Sequence, residues 1–537
     1  MSVRFLGPAG ESCAIAPAVP TTSGAVQGLE IDGIARYLGI RYGEAPTGDR
    51  RFRAPVTAAP RDGVQDATGF GAPAVQDVSG DAPVSALGFA LRSTAPTGSY
   101  RKIQSEDCLH LNVWTPGADD ARRPVLVWLH GGGFATGSGA DPIIDGARFS
   151  RRGDVVVVTL NHRLHLFGFL AVDEVVAGYD GEANPGIRDI VLALEWVRDN
   201  IAVFGGDPEQ ITIGGQSGGG GKVSHLMGMP SAKGLFHRAI VMSGPGLTAM
   251  AEEPIVDFTA DVLARVAGGD RLDAARLAGL PAEALHVAAR SAAVAASGPR
   301  NPRFRTILQM GADLAARLRT RVDGTILPAH PFEPEAAPTA AEIPLLTGWV
   351  KDEWTWMLAT TDPEFVHLDE AQLVAGAAGM YDGRGPEILE LLRAEFPHYA
   401  PGHLLSQLSG IEIGYRTTQL AARKSRQPAP VYAYQLQWET PVADGLLRTP
   451  HCLDLPLALD NVDRARALVG DDADAQRMAD LMADAWVAFV RTGSPQTSAL
   501  PTWDAYDAER RPTMCFDLEP RMLNAPLEEV HRLIAAN

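Results

Sequence analysis

The stretch "ITIGGQSGGGGKVS", residues 211–224, decides the fold. Four glycines follow Ser217 directly, and Gly214 and Gly215 come just before Gln216. Glycine inside a helix or strand costs roughly 0.5–1 kcal/mol relative to alanine, so this composition needs a reason. The run "QITI" from Gln210 reads as a short buried strand, and "GGGGKVSHLMGM" reads as a helix. Ser217 therefore stands between strand and helix in Gly215-Gln216-Ser217-Gly218-Gly219, the context that G-x-S-x-G requires. Such a turn is too tight for side chains two places before and after the serine, which accounts for Gly215 and Gly219. It lifts the hydroxyl clear of the sheet and sets it beside the positive end of a helix. Gly218, Gly220 and Gly221 exceed that minimum. A phosphate cradle does not fit, because Val223 follows Lys222 where the P-loop pattern needs serine or threonine.

Upstream, "RPVLVWLHGGGF" from Arg123 ends in His130-Gly131-Gly132-Gly133-Phe134. Glycines let backbone N–H groups approach a bound group closely, and an oxyanion needs such preorganised donors. An H-G-G-G loop after a strand, ahead of a serine elbow, is the arrangement of acyl-transfer sites. "DVVVVTLNHR" from Asp154 is another continuous apolar run, as expected of strands buried on both faces of a parallel sheet. Between it and the elbow, "NPGIRDIVLALEWVRDNIAVFGG" places Ile187, Ile190, Val191, Leu194, Val197 and Ile201 at helical spacing. Further strands are expected at 236–244, 342–350 and 430–438, and short antiparallel strands over 25–60. Strands alternating with helices imply an α/β sheet covered on both faces. Segments at about 250–340 and 360–425 read as mostly helical insertions, suited to cap the sheet's C-terminal edge. Residues 1–24 read as a loose tail, and 25–537 as one catalytic domain with those insertions.

Of the 537 residues 46% are apolar and 21% charged, as in globular proteins and unlike disordered chains. The formal net charge of −18 comes without a strongly basic run, so nucleic acid is not an expected partner. The four cysteines, Cys13, Cys108, Cys452 and Cys515, form no C-x-x-C pair, so neither a zinc site nor a redox motif is expected. No apolar run reaches membrane-spanning length, and the N-terminus lacks the pattern of a secretory leader. A cytoplasmic location is the expectation.

A serine hydroxyl needs a base to take its proton, and the base needs an orienting carboxylate. In this fold the chain order is serine, acid, histidine. "IPLLTGWVKDEW" offers Asp352 and Glu353 just past a strand, and "RTPHCLDLP" offers His451. His367, His398 and His403 also follow the acid, but they precede the strand at 430–438 and fall in the helical insertion. His531 lies close to the C-terminus.

The chain resembles the type B carboxylesterases, the carboxylesterase, cholinesterase and lipase group that includes bacterial p-nitrobenzyl esterases. The resemblance runs from about Val26 to about Met522. It rests on "GIRYGEAPTGDRRF", "SEDCLHLNVWTP", "PVLVWLHGGGFATGS", "LNHRLHLFGFL", "NPGIRDIVLALEWVRDNIAVFGGDP", "VKDEW" and "PHCLDLPLAL". It implies an α/β-hydrolase fold and two-step hydrolysis of small ester substrates without metal or organic cofactor, by a monomer or homodimer. Residue by residue it implies Ser217 as nucleophile, Glu353 as acid and His451 as base. Gly132, Gly133 and Gly218 would supply the oxyanion-hole N–H groups. It also implies two buried ion pairs, Arg51 with Glu106 and Arg163 with Asp189. The departures are Gln216 for the family's glutamate, Gly218 for its alanine, and Trp354 and Cys452 for glycines after the acid and the histidine. Cys108 matches a family cysteine that often forms a disulfide, but its partner region, "FGAPAVQDV", has no cysteine. No tryptophan precedes Cys108, so a choline ester is not the expected substrate. The same machinery acting on an amide or carbamate is the alternative reading. A non-catalytic interaction protein of this fold would show a broken triad, and a membrane-acting lipase would show interfacial activation. Phe134, Trp354 and Trp356, close to these motifs, are candidates to line the pocket, with plain core aromatics as the competing reading.

Overall fold

The apolar runs around the elbow build the centre of the sheet, and their alternation shows why. Val125, Val127 and Leu129 pack into the core on one face, while Leu126 and Trp128 pack into the core on the other. Val156, Val158 and Leu160 alternate in the same way with Val157. A strand buried on both faces has no polar positions to spare, hence the continuous Val/Ile/Leu runs. The chain is described from a computed structural model covering residues 3–4, 13–76, 103–268, 272–296, 317–361 and 363–535.

Among the described residues twelve strands join in one sheet: β1 (Cys13–Ile15), β2 (Leu29–Ile31), β3 (Ile34–Arg41), β4 (His110–Thr115), β5 (Arg123–Leu129), β6 (Val156–Leu160), β7 (Gly206–Gln216), β8 (Arg238–Met242), β9 (Leu345–Val350), β10 (Val431–Leu436), β11 (Pro512–Phe516) and β12 (Arg521–Asn524). The spatial order is β12-β11-β10-β9-β8-β7-β5-β6-β4-β3-β2-β1. All pairs from β6 through β5 and β7 to β11 are parallel, and those at both edges are antiparallel. The order reverses at β5, which is flanked by β6 and β7. Open α/β sheets bind their ligands outside the carboxyl ends of the strands at such a switch point. Leu129 is in register with Gly215. The loops that follow β5 and β7 therefore leave the sheet side by side.

Helix α1 (Pro185–Asn200) crosses one face, with Pro185 in its first turn and Ile187, Ile190, Val191, Leu194 and Val197 buried. Helix α2 (Gly218–Met227) leaves the elbow. Helix α3 (Pro401–Lys424) is the long element of the second insertion. Helix α4 (Ala473–Thr492), capped by the Asp472 side chain on the Ala475 N–H and stopped at Gly493, packs Met478, Met482, Trp486 and Phe489 on the opposite face.

Two expectations change. Residues 13–24, expected as a loose tail, carry β1 and the strand Val19–Thr21, which pairs with Gly24–Gln27. The side chains of β1 are exposed, so it is held by backbone pairing to β2, a bond that leaves no hydrophobic signature. The first insertion is helical over Glu252–Ala267, Ala274–Gly279 and Ala282–Ala295, but residues 318–337 run without helix. No helix among the described residues is long and apolar enough to cross a membrane.

Candidate active site

Ser217 occupies the turn between β7 and α2 with φ 57° and ψ −124°. A side-chain-bearing residue held there stores on the order of 1–3 kcal/mol of strain. The neighbours enforce it: the Ser217 N–H donates to the Met242 carbonyl at the end of β8, 2.8 Å. The glycines around it are close-approach positions. A Cβ on Gly215 would stand 2.4 Å from the Gly219 carbonyl carbon, and one on Gly219 would stand 2.1 Å from the Leu129 oxygen. A Cβ on Gly218 would lie 2.0 Å from the Gly133 oxygen. The H-G-G-G loop thus rests directly on the first turn of α2, closer than the alanine usual in the family would permit. At Gly221 a Cβ would meet only the Phe134 ring at 3.5 Å, so the last glycine is not sterically required.

In the loop after β5, Gly132 and Gly133 adopt φ of +84° and +67°. Glycine reaches this backbone without the penalty a side chain would bring. Gly132 is exposed, and Gly133, Ser217 and Gly218 are half-buried, so the three expected donors lie at the protein surface around the serine.

Asp352 and Glu353 part company here. The Glu353 carboxylate accepts from the Val350 N–H at 3.1 Å and faces His451 Nδ1 at 2.5 Å. Asp352 is buried and points away. It accepts from Tyr399 Oη at 2.9 Å, Gln407 Nε2 at 2.7 Å and the Thr449 N–H at 3.2 Å, and its own N–H donates to the Thr449 carbonyl at 3.0 Å. Asp352 therefore fastens the acid loop to the histidine loop. Gly410 of α3 lies against the same loop: a Cβ there would be 2.4 Å from Trp354 Cδ1.

His451 Nε2 lies 3.2 Å from Gln216 Nε2, and Gln216 Oε1 accepts from Cys452 Sγ at 3.3 Å. Gln216 thus sits between Cys452 and the imidazole, whose far side meets Glu353. Gln216 faces His451 Nε2, and no Ser217–His451 hydrogen bond is formed. Burial pushes His451 toward its neutral form, but the Cys452 and Glu353 side chains oppose this and hold it well above the ordinary imidazole range. Cys452 has φ +73°, the backbone the family's glycine would supply. Trp354, by contrast, has no left-handed backbone and needs no glycine.

Other groups at the site escaped the sequence reading. Asp454 is buried behind the triad candidates, and Tyr434 Oη donates to it at 2.6 Å. Burial first, and then the nearby Glu353 charge, push its carboxyl up to about 7. Lys222 on α2 is fully buried, with its Nζ 3.0 Å from the His130 carbonyl oxygen. The sequence carried both in plain view, Asp454 in "HCLDLP" and Lys222 in "GGGGKV", but nothing in their spacing marked them. Phe134 does not line an open pocket: it is 3% exposed, edge-on to Phe169 at 5.2 Å and stacked on His225 at 5.5 Å. Trp354 is buried against α3, and Trp356 is a half-buried part of the core.

Both expected ion pairs form. Arg51 and Glu106 make two bonds of 2.6 Å, and Arg51 Nη1 reaches the Leu280 carbonyl at 2.7 Å. Arg163 and Asp189, 3% and 0% exposed, meet at 2.6 Å, and the Arg163 N–H adds a bond to the same carboxylate at 2.9 Å. The neighbouring His162 ring stacks on His130 at 5.1 Å, so this pair buttresses the H-G-G-G loop from below. Cys108 is buried and unbridged. Among the described residues no cluster of three His, Cys, Asp or Glu side chains is placed to hold a metal ion.

The carboxylesterase family model matches residues 15–533. The phenmedipham hydrolase of Pseudarthrobacter oxydans is 34% identical over 499 residues, 92% of this chain and 93% of that protein. The para-nitrobenzyl esterase of Bacillus subtilis (strain 168) is 33% identical over 519 residues, 95% of this chain and 97% of that one. Among solved structures, the Geobacillus stearothermophilus carboxylesterase EST55 at pH 6.2 superposes with a TM-score of 0.78 at 34% identity, covering 96% of this chain and 99% of that chain.

Proposed function

The chain belongs to the carboxylesterase family and is a carboxylic ester hydrolase, and from that premise we propose that Ser217, His451 and Glu353 carry the reaction through an acyl-enzyme. The observation that supports this most is the 2.5 Å contact of Glu353 with His451 Nδ1, with His451 Nε2 against Gln216, the residue before the strained Ser217 elbow. His451 Nε2 leaves Gln216 and takes the Ser217 proton as Oγ attacks the ester carbonyl. The N–H groups of Gly132, Gly133 and Gly218 stabilise the oxyanion. Such a donor is worth roughly 10²–10³-fold in rate. The imidazolium gives its proton to the leaving alcohol, and water repeats both steps on the acyl-enzyme. Glu353 orients the ring and supports its charge throughout. No cofactor takes part in this scheme. The substrate is a small-molecule ester met in the cytoplasm, and the working unit is a monomer or homodimer.

Amide or carbamate hydrolysis by the same groups is the second reading. One relative is named for its action on phenmedipham. An ester, an amide and a carbamate sharing one acyl group, together with phenmedipham itself, form the deciding panel. The ester should give the highest kcat/KM. A carbamate or amide exceeding it would replace the first reading with the second.

Gln216 bears on the pH profile. A carboxylate beside His451 stabilises the imidazolium and raises its pKa, and a base is competent only when neutral. Gln216→Glu should therefore move the acidic limb of kcat/KM to higher pH. A limb that stays in place, or moves down, would mean that this side chain does not act on His451 through charge.

A further inference from the structure

The buried Lys222 has no use in the scheme above. Its Nζ makes one hydrogen bond among the described residues, to the His130 carbonyl oxygen at 3.0 Å, and stands 5.6 Å from the centre of the Phe134 ring. Among the described residues no carboxylate answers its charge. The titratable groups around it are His130 at the end of β5, His162 beyond β6 and His225 on α2. Burial holds all three far below the ordinary imidazole range, and the Lys222 charge pushes His130 and His162 further down. Burial also lowers Lys222 itself to about 7. A buried ammonium facing only neutral rings and one carbonyl is costly, so it should hold its place for a reason.

The place is the wedge between α2 and the loop His130–Phe134. That loop touches α2 at Gly218 through the Gly133 oxygen and at Gly221 through Phe134, and the end of β5 touches it at Gly219 through the Leu129 oxygen. All of these are steric contacts. The Lys222–His130 bond is the polar tie across the wedge, and it grips the first residue of the loop whose next members are the expected oxyanion donors.

We propose that Lys222 is a positioning residue of the oxyanion hole: it fixes the H-G-G-G loop against α2 through the His130 carbonyl and sets a buried positive charge behind the donors. In a water-poor interior such a charge acts on a developing anion far more strongly than in bulk solvent. It favours the tetrahedral, anionic state over the neutral bound ester. Its effect therefore falls on kcat rather than KM.

The inference rests on Gly132, Gly133 and Gly218 acting as the hole, and its test keeps the two apart. A trifluoromethyl ketone adds to an active serine and mimics the tetrahedral anion. Its affinity is measured on wild type, Ser217→Ala and Lys222→Met, with kcat, KM and Tm on the same preparations. Wild type should bind it and Ser217→Ala should not; equal binding by both would overturn the proposed function itself. Lys222→Met should lose about 10-fold or more in ketone affinity and in kcat, with KM nearly unchanged. Its Tm should not fall, since an apolar chain replaces an unpaired buried charge. The wild-type advantage should narrow as pH rises through 7, because the neutral amine keeps the bond and loses the charge. If Lys222→Met does not accumulate as folded protein, Lys222→Gln, which keeps an N–H donor without charge, reads the same losses. Ketone affinity and kcat within twofold of wild type in a folded variant would overturn the role of Lys222 and leave the proposed function standing.

Discussion

Ser217→Ala should lose at least roughly 10⁴-fold in kcat on a p-nitrophenyl ester while keeping the fold. Removing the nucleophile of such a triad costs up to about 10⁶-fold, and residual turnover comes from binding and the oxyanion donors alone. The fold should survive because Ser217 is a half-buried surface position whose hydroxyl supports no packing. Relief of side-chain steric strain is minor, since alanine also carries a Cβ at φ 57°. His451→Ala should fall by a similar factor, and the double variant should be no worse than either single one, because the groups act as a unit. Circular dichroism and the denaturation midpoint check the fold. Activity within tenfold of wild type in folded Ser217→Ala would remove this residue from the reaction.

Asp189→Ala should destabilise the fold by about 3–5 kcal/mol. It leaves the Arg163 guanidinium buried without its carboxylate and strips a bond from the Arg163 N–H. Arg198 and Asp199 form the contrast: they meet at 2.7 Å but are 48% and 47% exposed. An exposed pair is screened and is worth at most about 1 kcal/mol, so Asp199→Ala should be nearly silent. Urea titrations of the two variants against wild type make the comparison. Because His162, next to Arg163, stacks on His130, Asp189→Ala should also depress kcat in whatever fraction stays folded. Equal destabilisation by Asp189→Ala and Asp199→Ala would contradict the role of the Arg163–Asp189 pair as a buried buttress.

How much of this was legible in the sequence depended on the kind of constraint. The elbow and the H-G-G-G loop announced themselves because backbone close approach excludes every side chain, and exclusion leaves glycines at fixed places. The central strands were legible because burial on both faces excludes polar residues over several consecutive positions. Strands β4, β11 and β12 were not singled out. "HLNVWT" carries Asn112, which is satisfied by the Gly139 carbonyl and the Thr159 hydroxyl. "PTMCF" opens on a proline, and β12 has exposed ends. Asp352 and Glu353 were indistinguishable by pattern, since both follow β9 and both are buried. Only the direction of each side chain separates the clasp from the partner of His451, and the family resemblance supplied that choice in advance. Lys222–His130 and Gln216–Cys452 join residues 92 and 236 positions apart. No local periodicity records a contact of that kind. For Phe134 the sequence left pocket and core both open, because proximity to a motif says nothing about which side of the loop a ring faces.

In the proposed reaction the acyl group passes through Ser217. Turnover of a p-nitrophenyl ester is quenched in acid during the steady state, and the protein is digested and mapped by mass. The acyl mass is expected on the peptide containing Ser217, in up to stoichiometric amount, and should be missing from Ser217→Ala. An acyl group on another residue, or full turnover with no acyl-enzyme and an active Ser217→Ala, would contradict it.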